Sequence, residues 1–455
     1  MDGKRYPDRD LFLGKIRTKL PSLVLIPTAL FYIFVASRIG MTMQNGGPDE
    51  NMRALLPLCM VKGNWLPSGY DACAVYNLGN WSYAFYPQFI GAYLSAVFML
   101  IAKTFGCNAD MSFEAGRLAS VTFSIICLSY IGKTVTLIFH RSPKKYLLSA
   151  ISILILAFWP QYAFLSSYMN NDIVAFAGVA LMLYALTSGV FFGWTYKSTA
   201  PLSAGIIISA LGYWNSYGFI LVSIIIFVIT VFRQNRNAKA RGGKLFAAAS
   251  IPPALFIIPF FIVNLVRYHD LLGLHTFRQQ YLLWLAHGGA VLQHPWSGSL
   301  RSLFLDTNFI YNTMQSFIGN LGYQSVPLPY AFCLVYLAII FTGLGLFLSS
   351  GKRYWSNGNC ALMIGGVFVA SAITTILFII YTVNTDVQPQ GRYVIYLLAP
   401  LVLMVVAGLG NAFSFDGTAS RVLLGLSLFL YVLLCLAYFI NTIHFYGWTG
   451  VTLHV

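Results

Sequence analysis

The chain has 455 residues, of which 58% are hydrophobic and 9% charged, and its mean hydropathy is +0.71. That balance excludes a soluble domain and makes the chain a polytopic membrane protein. The net charge of +15 invites a nucleic-acid reading, but most basic residues fall in short blocks between apolar runs, where they act as topology signals. No nucleic-acid partner is expected.

The first apolar run, about 20–43, follows Lys4, Arg5, Arg9, Lys15, Arg17 and Lys19 and lacks a small-residue cleavage site. It reads as a retained signal anchor with a cytoplasmic N-terminus. Further runs cover 84–105, 114–139, 146–164, 173–191, 201–232, 245–266, 328–348, 358–381, 393–410 and 421–440. Each is near the length of a bilayer crossing, and 201–232 is long enough for two short helices broken at Trp214 to Tyr217. Basic blocks at 141–145, 197, 233–244, 352–353 and 421 should stay cytoplasmic. All of them do if 84–105 lies in the outer leaflet without crossing. The expectation is an all-α single transmembrane domain, 1–455, with about 11 transmembrane helices and the C-terminus outside.

That topology gathers polar segments on the outer face: the loop 44–83, which continues through juxtamembrane helices to 113, the turn 166–172, the long loop 267–327 and the turn 384–393. The first begins Gly46-Gly47-Pro48-Asp49-Glu50-Asn51-Met52-Arg53. Among only 13 acidic residues there are two glutamates, Glu50 and Glu114, so adjacent carboxylates at a membrane boundary call for a role. One carboxylate suffices to cap a short helix after the Gly-Gly-Pro turn. Two point to acid–base chemistry, with Asp49 or Glu50 as base and the other free to hold Arg53 or a divalent metal.

Asn171 and Asp172 stand where a helix begins, either capping it or belonging to a site at its N-terminus. Arg392 follows Pro389-Gln390-Gly391, a stiff tight turn, and its guanidinium is suited to gripping phosphate through two hydrogen bonds, with snorkelling to headgroups as the alternative. Tyr393 is a site residue or part of the interfacial aromatic belt. The loop 267–327 holds His269, His275, His287 and His294 with Arg278 and Arg301. Its spacing matches no zinc motif, so no metal site is expected there and the sequence requires no cofactor. Arg278 and Arg301 are candidates for anionic groups, and Trp284 and Trp296 for stacking on sugar, beside an amphipathic helix over about 270–288. Cys59 and Cys73 are the pair placed to form a disulfide in an oxidising compartment.

Gly-Pro-Asp-Glu, Asn171-Asp172, Phe317-Ile-Gly-Asn-Leu-Gly-Tyr323 with Pro327-Leu-Pro329, and Gln390-Gly391-Arg392-Tyr393 occur in that order over about 44–400. The pattern resembles a little-characterised family of bacterial polytopic proteins with a Pro-Asp-Glu loop and a late Gly-Arg-Tyr, and through it the GT-C superfamily of membrane glycosyltransferases. The resemblance implies a GT-C-like fold in the bacterial inner membrane with its site on the periplasmic face. It implies an inverting enzyme that moves a sugar from a polyprenyl-phosphate (undecaprenyl-phosphate) donor to a surface glycan such as O-antigen or to a lipid-linked acceptor. It favours Asp49 as base and places Tyr323, Gln390 and Arg392 against substrate. Asn51-Met52-Arg53 replaces the Pro-Ala-His usual in such relatives, and Trp214-Asn215-Ser216-Tyr217 stands where they carry a lysine. A transporter or flippase of lipid-linked saccharides is the alternative, although the sequence shows no internal repeat and its polar groups gather at one surface.

Overall fold

The structure is a computed structural model that describes residues 7–42, 44–351, 356–413 and 417–452. Helix α1 (Pro7–Ala36) leads into the first outer loop, which carries α2 (Glu50–Arg53), α3 (Leu55–Val61), α4 (Ile90–Thr104) and α5 (Ala109–Gly116). Then come α6 (Leu118–Ile138), α7 (Lys145–Ala157), α8 (Pro160–Leu165), α9 (Asp172–Phe192), α10 (Tyr196–Ala210), α11 (Tyr217–Gln234) and α12 (Lys239–Tyr268). The second outer loop holds α13 (Leu274–Ala286), α14 (Leu300–Leu305), α15 (Phe309–Ile318) and a two-stranded hairpin pairing Asn320 with Pro327 and Leu321 with Val326. Helices α16 (Tyr330–Ser349), α17 (Gly358–Asn384), α18 (Leu398–Ala412) and α19 (Thr418–Phe445) complete the bundle.

Nine helices among the described residues are long and apolar enough to span a membrane. The remaining two of the expected crossings are shorter: 146–164 is divided between α7 and α8, and α10 has 15 residues. Helix α4 also has 15 residues, about 22 Å of helix against a hydrocarbon core of about 30 Å. The run 201–232 breaks between Ala210 and Tyr217, as its central polar residues require.

The core is built around α9, whose sides are almost all covered by α6, α10 and α11. Small residues allow this closeness: a Cβ added at Gly178 would lie 2.3 Å from Ser209 Oγ and 2.7 Å from the Gly205 carbonyl. Helix α12 is the opposite case. Its Ile251, Leu255, Phe256, Ile262 and Val266 are exposed, a surface that only lipid covers without cost.

The two outer loops form one cap. Cys59 and Cys73 are joined in a disulfide within the first. Tyr268, at the end of α12, accepts a hydrogen bond from the Gly69 N–H at 2.8 Å, Arg267 donates to the Leu66 carbonyl at 3.1 Å, and Asn264 donates to the Phe85 carbonyl at 2.7 Å. The start of the second loop is therefore tied down on the first.

Candidate active site

Asp49 has φ 63°, a left-handed conformation that Asp tolerates better than most residues. It precedes α2, and its carbonyl accepts from the Arg53 N–H at 2.9 Å, but its carboxylate caps nothing. The expected cap is absent because the left-handed residue turns the side chain toward Arg392. Arg392 Nη2 donates to Asp49 Oδ2 at 2.7 Å and Nη1 donates to the Pro48 carbonyl at 3.4 Å, while Nε has no partner. Burial raises the Asp49 pKa, and the charges of Arg392 and Arg53 outweigh it, so the carboxyl sits below its ordinary value. Its side chain is 23% exposed.

The turn that delivers Arg392 has no room for a side chain at Gly391. A Cβ there would lie 2.2 Å from the backbone of Phe317, and the Gly391 N–H donates to Ser316 Oγ at 2.5 Å. Beyond Arg392, the Tyr393 hydroxyl donates to Gln388 Oε1. Gln388 Nε2 donates to Asp386 Oδ2 at 2.6 Å, and Asp386 Oδ1 accepts from the His294 N–H at 2.9 Å. Gln390 donates more weakly to Gln388, at 3.4 Å.

Glu50 faces the other way. It is fully buried, receives Arg117 Nε and Nη2 at 2.9 and 2.8 Å, and accepts from the Met169 N–H at 2.9 Å. Arg117 Nη1 also donates to the carbonyls of Ala36 and Ile39 at 2.7 and 2.6 Å. Neighbouring carboxylates thus have different partners, and Glu50 holds Arg117, not Arg53. Arg53 instead lies over the ring of Tyr83 at 4.3 Å and near that of Tyr213 at 5.4 Å, with Nε and Nη1 buried and, among the described residues, unpaired. The cation–π contact offsets part of the cost of burying its charge.

Capping of α9 falls to Asn170, whose Oδ1 accepts from the Ile173 N–H at 2.9 Å. That frees Asp172, which is buried and accepts from the Tyr396 hydroxyl at 3.5 Å, within electrostatic reach of Arg392, Arg53 and Asp49. Asn171 donates to Gln88 Oε1 at 3.2 Å. Tyr323, beside the hairpin, lies within electrostatic reach of Asp49. Thus all four outer polar segments meet around Asp49. Arg278 is exposed at the cavity wall, and Arg301 is exposed on α14 away from it.

Asp49 lines a cavity of about 1220 Å³. Tyr83, Tyr213, Tyr381, Tyr393 and Gln388 surround its polar end. From there it runs between α11, α12 and α17 past Leu221, Ile224, Ile258 and Ile380, all exposed, whose surface is left for lipid chains. Among the described residues no cluster of three or more His, Cys, Asp or Glu is placed to hold a metal ion. Asp49 and Asp172 share this setting with the guanidiniums of Arg392 and Arg53.

Arg117, Tyr83 and Tyr213 escaped the sequence reading. Arg117 carried a usable signal: a cation at the outer end of an apolar run runs against the positive-inside pattern and calls for a buried partner.

No protein-family model matches the chain, and no curated protein sequence does. Solved structures do. ArnT from Cupriavidus metallidurans in the apo state matches 86% of this chain and 60% of its own, at 13% identity and a TM-score of 0.51. The same protein bound to undecaprenyl phosphate matches with the same coverage at 14% identity and 0.50. The archaeal oligosaccharyltransferase AglB from Archaeoglobus fulgidus, in complex with an inhibitory peptide and a dolichol-phosphate, matches 94% of this chain and 56% of its own, at 14% identity and 0.51. The fold is GT-C-like. The chain spans less than two thirds of the length of each of these proteins.

Proposed function

We propose that the protein is an integral-membrane glycosyltransferase that moves a sugar from a polyprenyl-phosphate carrier to a hydroxyl of a surface glycan or a lipid-linked acceptor. The observation that carries this reading is the Asp49–Arg392 pair at the polar end of a cavity whose other walls are apolar and lie along spanning helices. An apolar chain fits the trough and the sugar faces Asp49. Arg392 and Arg53, buried against the cavity-lining Asp49 and Tyr83 but not lining the cavity themselves, are the cations that a phosphate displacing Asp49 would reach. ArnT has been solved with undecaprenyl phosphate and AglB with dolichol-phosphate, which supports a lipid phosphate as the ligand here. The disulfide supports an oxidising, outer-face location for the loop that carries Asp49, the periplasmic side of a bacterial inner membrane.

The donor phosphate competes with Asp49 for the Arg392 guanidinium. As the pair opens, Asp49 loses the charge that held its pKa down and becomes a better base. It then accepts the proton of the acceptor hydroxyl while that oxygen bonds to the anomeric carbon. The bond from that carbon to the phosphate oxygen breaks, and polyprenyl phosphate leaves, its charge held by Arg392 and Arg53. A single displacement of this kind inverts the anomeric centre. Asp172, buried near both guanidiniums, keeps them oriented.

The test uses protein in nanodiscs with radiolabelled polyprenyl-phosphate sugars and a crude envelope glycan. Label should reach the glycan with wild type and not with Asp49→Asn. Absence of transfer from every donor, together with flipping of a lipid-linked sugar in proteoliposomes, would replace this reading with a transporter.

A further inference from the structure

One wall of the cavity, beside Tyr83, carries rings that the phosphate chemistry does not use. There the first loop reverses through Gly79 and Asn80, at φ 80° and 53°, and the Tyr76 N–H donates to the Trp81 carbonyl at 2.7 Å. The turn sets the Trp81 ring parallel to Phe277 of α13, with centroids 6.2 Å apart and an interplanar angle of 10°. Phe277 stacks in turn on Tyr86 at 5.0 Å, and Tyr86 meets Trp214 edge-on at 4.6 Å. Three segments remote in sequence, the first loop, α13 and the α10–α11 break, therefore contribute one ladder of rings. All four rings border the cavity that holds Asp49.

One group in this ladder lacks a partner. Among the described residues the buried Trp81 Nε1 has no acceptor, although a buried indole N–H usually finds one. Trp284 and Trp296, the tryptophans of the second loop, differ: their indoles donate to the carbonyls of Ala290 and Ser299 at 3.0 and 2.9 Å, and neither lines the cavity. Stacking on sugar, expected of those two residues from the sequence, has a better seat at Trp81.

We propose that Trp81, with Phe277 and Tyr86, forms a saccharide-binding subsite in this cavity. A pyranose offers what the ladder needs: an apolar C–H face for the rings and hydroxyl oxygens to accept the indole N–H. A polyprenyl chain has no acceptor for that proton. The choice of saccharide rests on the glycosyltransferase reading, and the sugar belongs either to the lipid-linked donor or to the acceptor glycan.

Two measurements separate this proposal from the reaction it rests on. In the first, full-length protein carrying 5-fluorotryptophan is placed in nanodiscs, and the Trp81 resonance is identified as the one missing from Trp81→Phe. The sample is titrated with methyl glycosides of gluco, galacto, manno, rhamno and N-acetylglucosamino configuration, and separately with inorganic phosphate. At least one glycoside should shift the Trp81 signal saturably while those of Trp284 and Trp296 stay in place. No shift with any glycoside, or a shift with phosphate alone, overturns the subsite, whether or not the protein transfers sugar.

In the second, Trp81→Phe keeps the ring and loses the donor, and should raise one KM roughly 5-fold with kcat little changed. Trp81→Leu loses both and should raise it further. A change in the donor KM assigns the sugar to the carrier, and a change in the acceptor KM assigns it to the glycan. Wild-type transfer with both KM values unaltered in both variants overturns the proposal. Absence of wild-type transfer instead counts against the glycosyltransferase reading, and the resonance shift still decides the subsite.

Discussion

Asp49 and Arg392 are 343 residues apart in the chain and 2.7 Å apart in the structure. The pair joins the first loop to the turn before α18, beside the cavity that Asp49 lines. Among the described residues Arg392 Nε has no partner, which leaves a further donor for the phosphate that competes with Asp49. Arg392→Lys keeps the charge and loses the planar fork. Donor KM should rise roughly 10- to 100-fold in this variant, as loss of a hydrogen bond to a charged group implies. Steady-state transfer with varied lipid-linked donor checks this, and an unchanged donor KM would remove Arg392 from phosphate binding.

The depressed pKa of Asp49 fixes the direction of a pH effect. In the free enzyme Arg392 and Arg53 hold this carboxyl below its ordinary value against the opposing effect of burial. It is therefore ionised throughout the usual aspartate range and above, and the acid limb of kcat/KM should lie below that range. Removing the guanidinium in Arg392→Gln should move that limb upward. The same sign applies to stability: the contribution of the pair is present above the unfolded-state pKa and fades as pH falls through the depressed one. Asp49→Asn should lower kcat by about 10²- to 10⁴-fold without a pH-dependent remnant. A pH–rate profile of wild type and both variants tests the three kinetic statements, and thermal unfolding of wild type against pH tests the stability one.

Much of this site was legible because its chemistry is rare in so apolar a chain. Asp49 and Arg392 stood out as charges at the ends of apolar runs, the break before Tyr217 followed from polar residues inside an overlong run, and Cys59 with Cys73 were two thiols in one outer loop. What the sequence left open was direction and partner. The residues alone did not choose between Asp49 and Glu50, only the resemblance favoured Asp49, and a left-handed residue between loop and helix sends their side chains to different partners. Asn171 and Asp172 stood at the start of α9 as caps or site residues, and the cap falls to Asn170, whose amide also reaches the Leu165 and Tyr168 carbonyls. Arg53, Tyr83 and Tyr213 meet through tertiary packing, for which no local spacing exists.

The chain of contacts behind Arg392 ends on the second outer loop. Asp386 holds Gln388 with one oxygen and the His294 N–H with the other, and the Val387 N–H donates to the His294 carbonyl at 3.0 Å. Leu292, Gln293 and Pro295 of the same segment border the cavity. Asp386→Ala should loosen this segment and let Gln388 drift from Tyr393, raising donor KM more than it lowers kcat. Hydrogen exchange should increase over 290–296 while α9 stays protected. Equal exchange in variant and wild type would show that the latch does not hold the loop.

The last prediction separates the two adjacent carboxylates by what each variant loses. Glu50 and Arg117 form a buried bidentate pair, and the guanidinium also serves the carbonyls at the end of α1. Glu50→Gln leaves the Arg117 charge buried without its counter-charge, a change that costs about 3–5 kcal/mol. Asp49→Asn removes a partly exposed carboxylate and should cost far less. Thermal unfolding in detergent should therefore fall sharply for Glu50→Gln and little for Asp49→Asn, while activity per folded molecule shows the reverse order. The double variant Glu50→Gln with Arg117→Met removes the stranded charge and should recover part of the lost stability, because most of the single-variant penalty comes from the unpaired cation. If Glu50→Gln instead unfolds like wild type and abolishes turnover, the base is Glu50, and Arg117 rather than Arg392 is the cation that must release it.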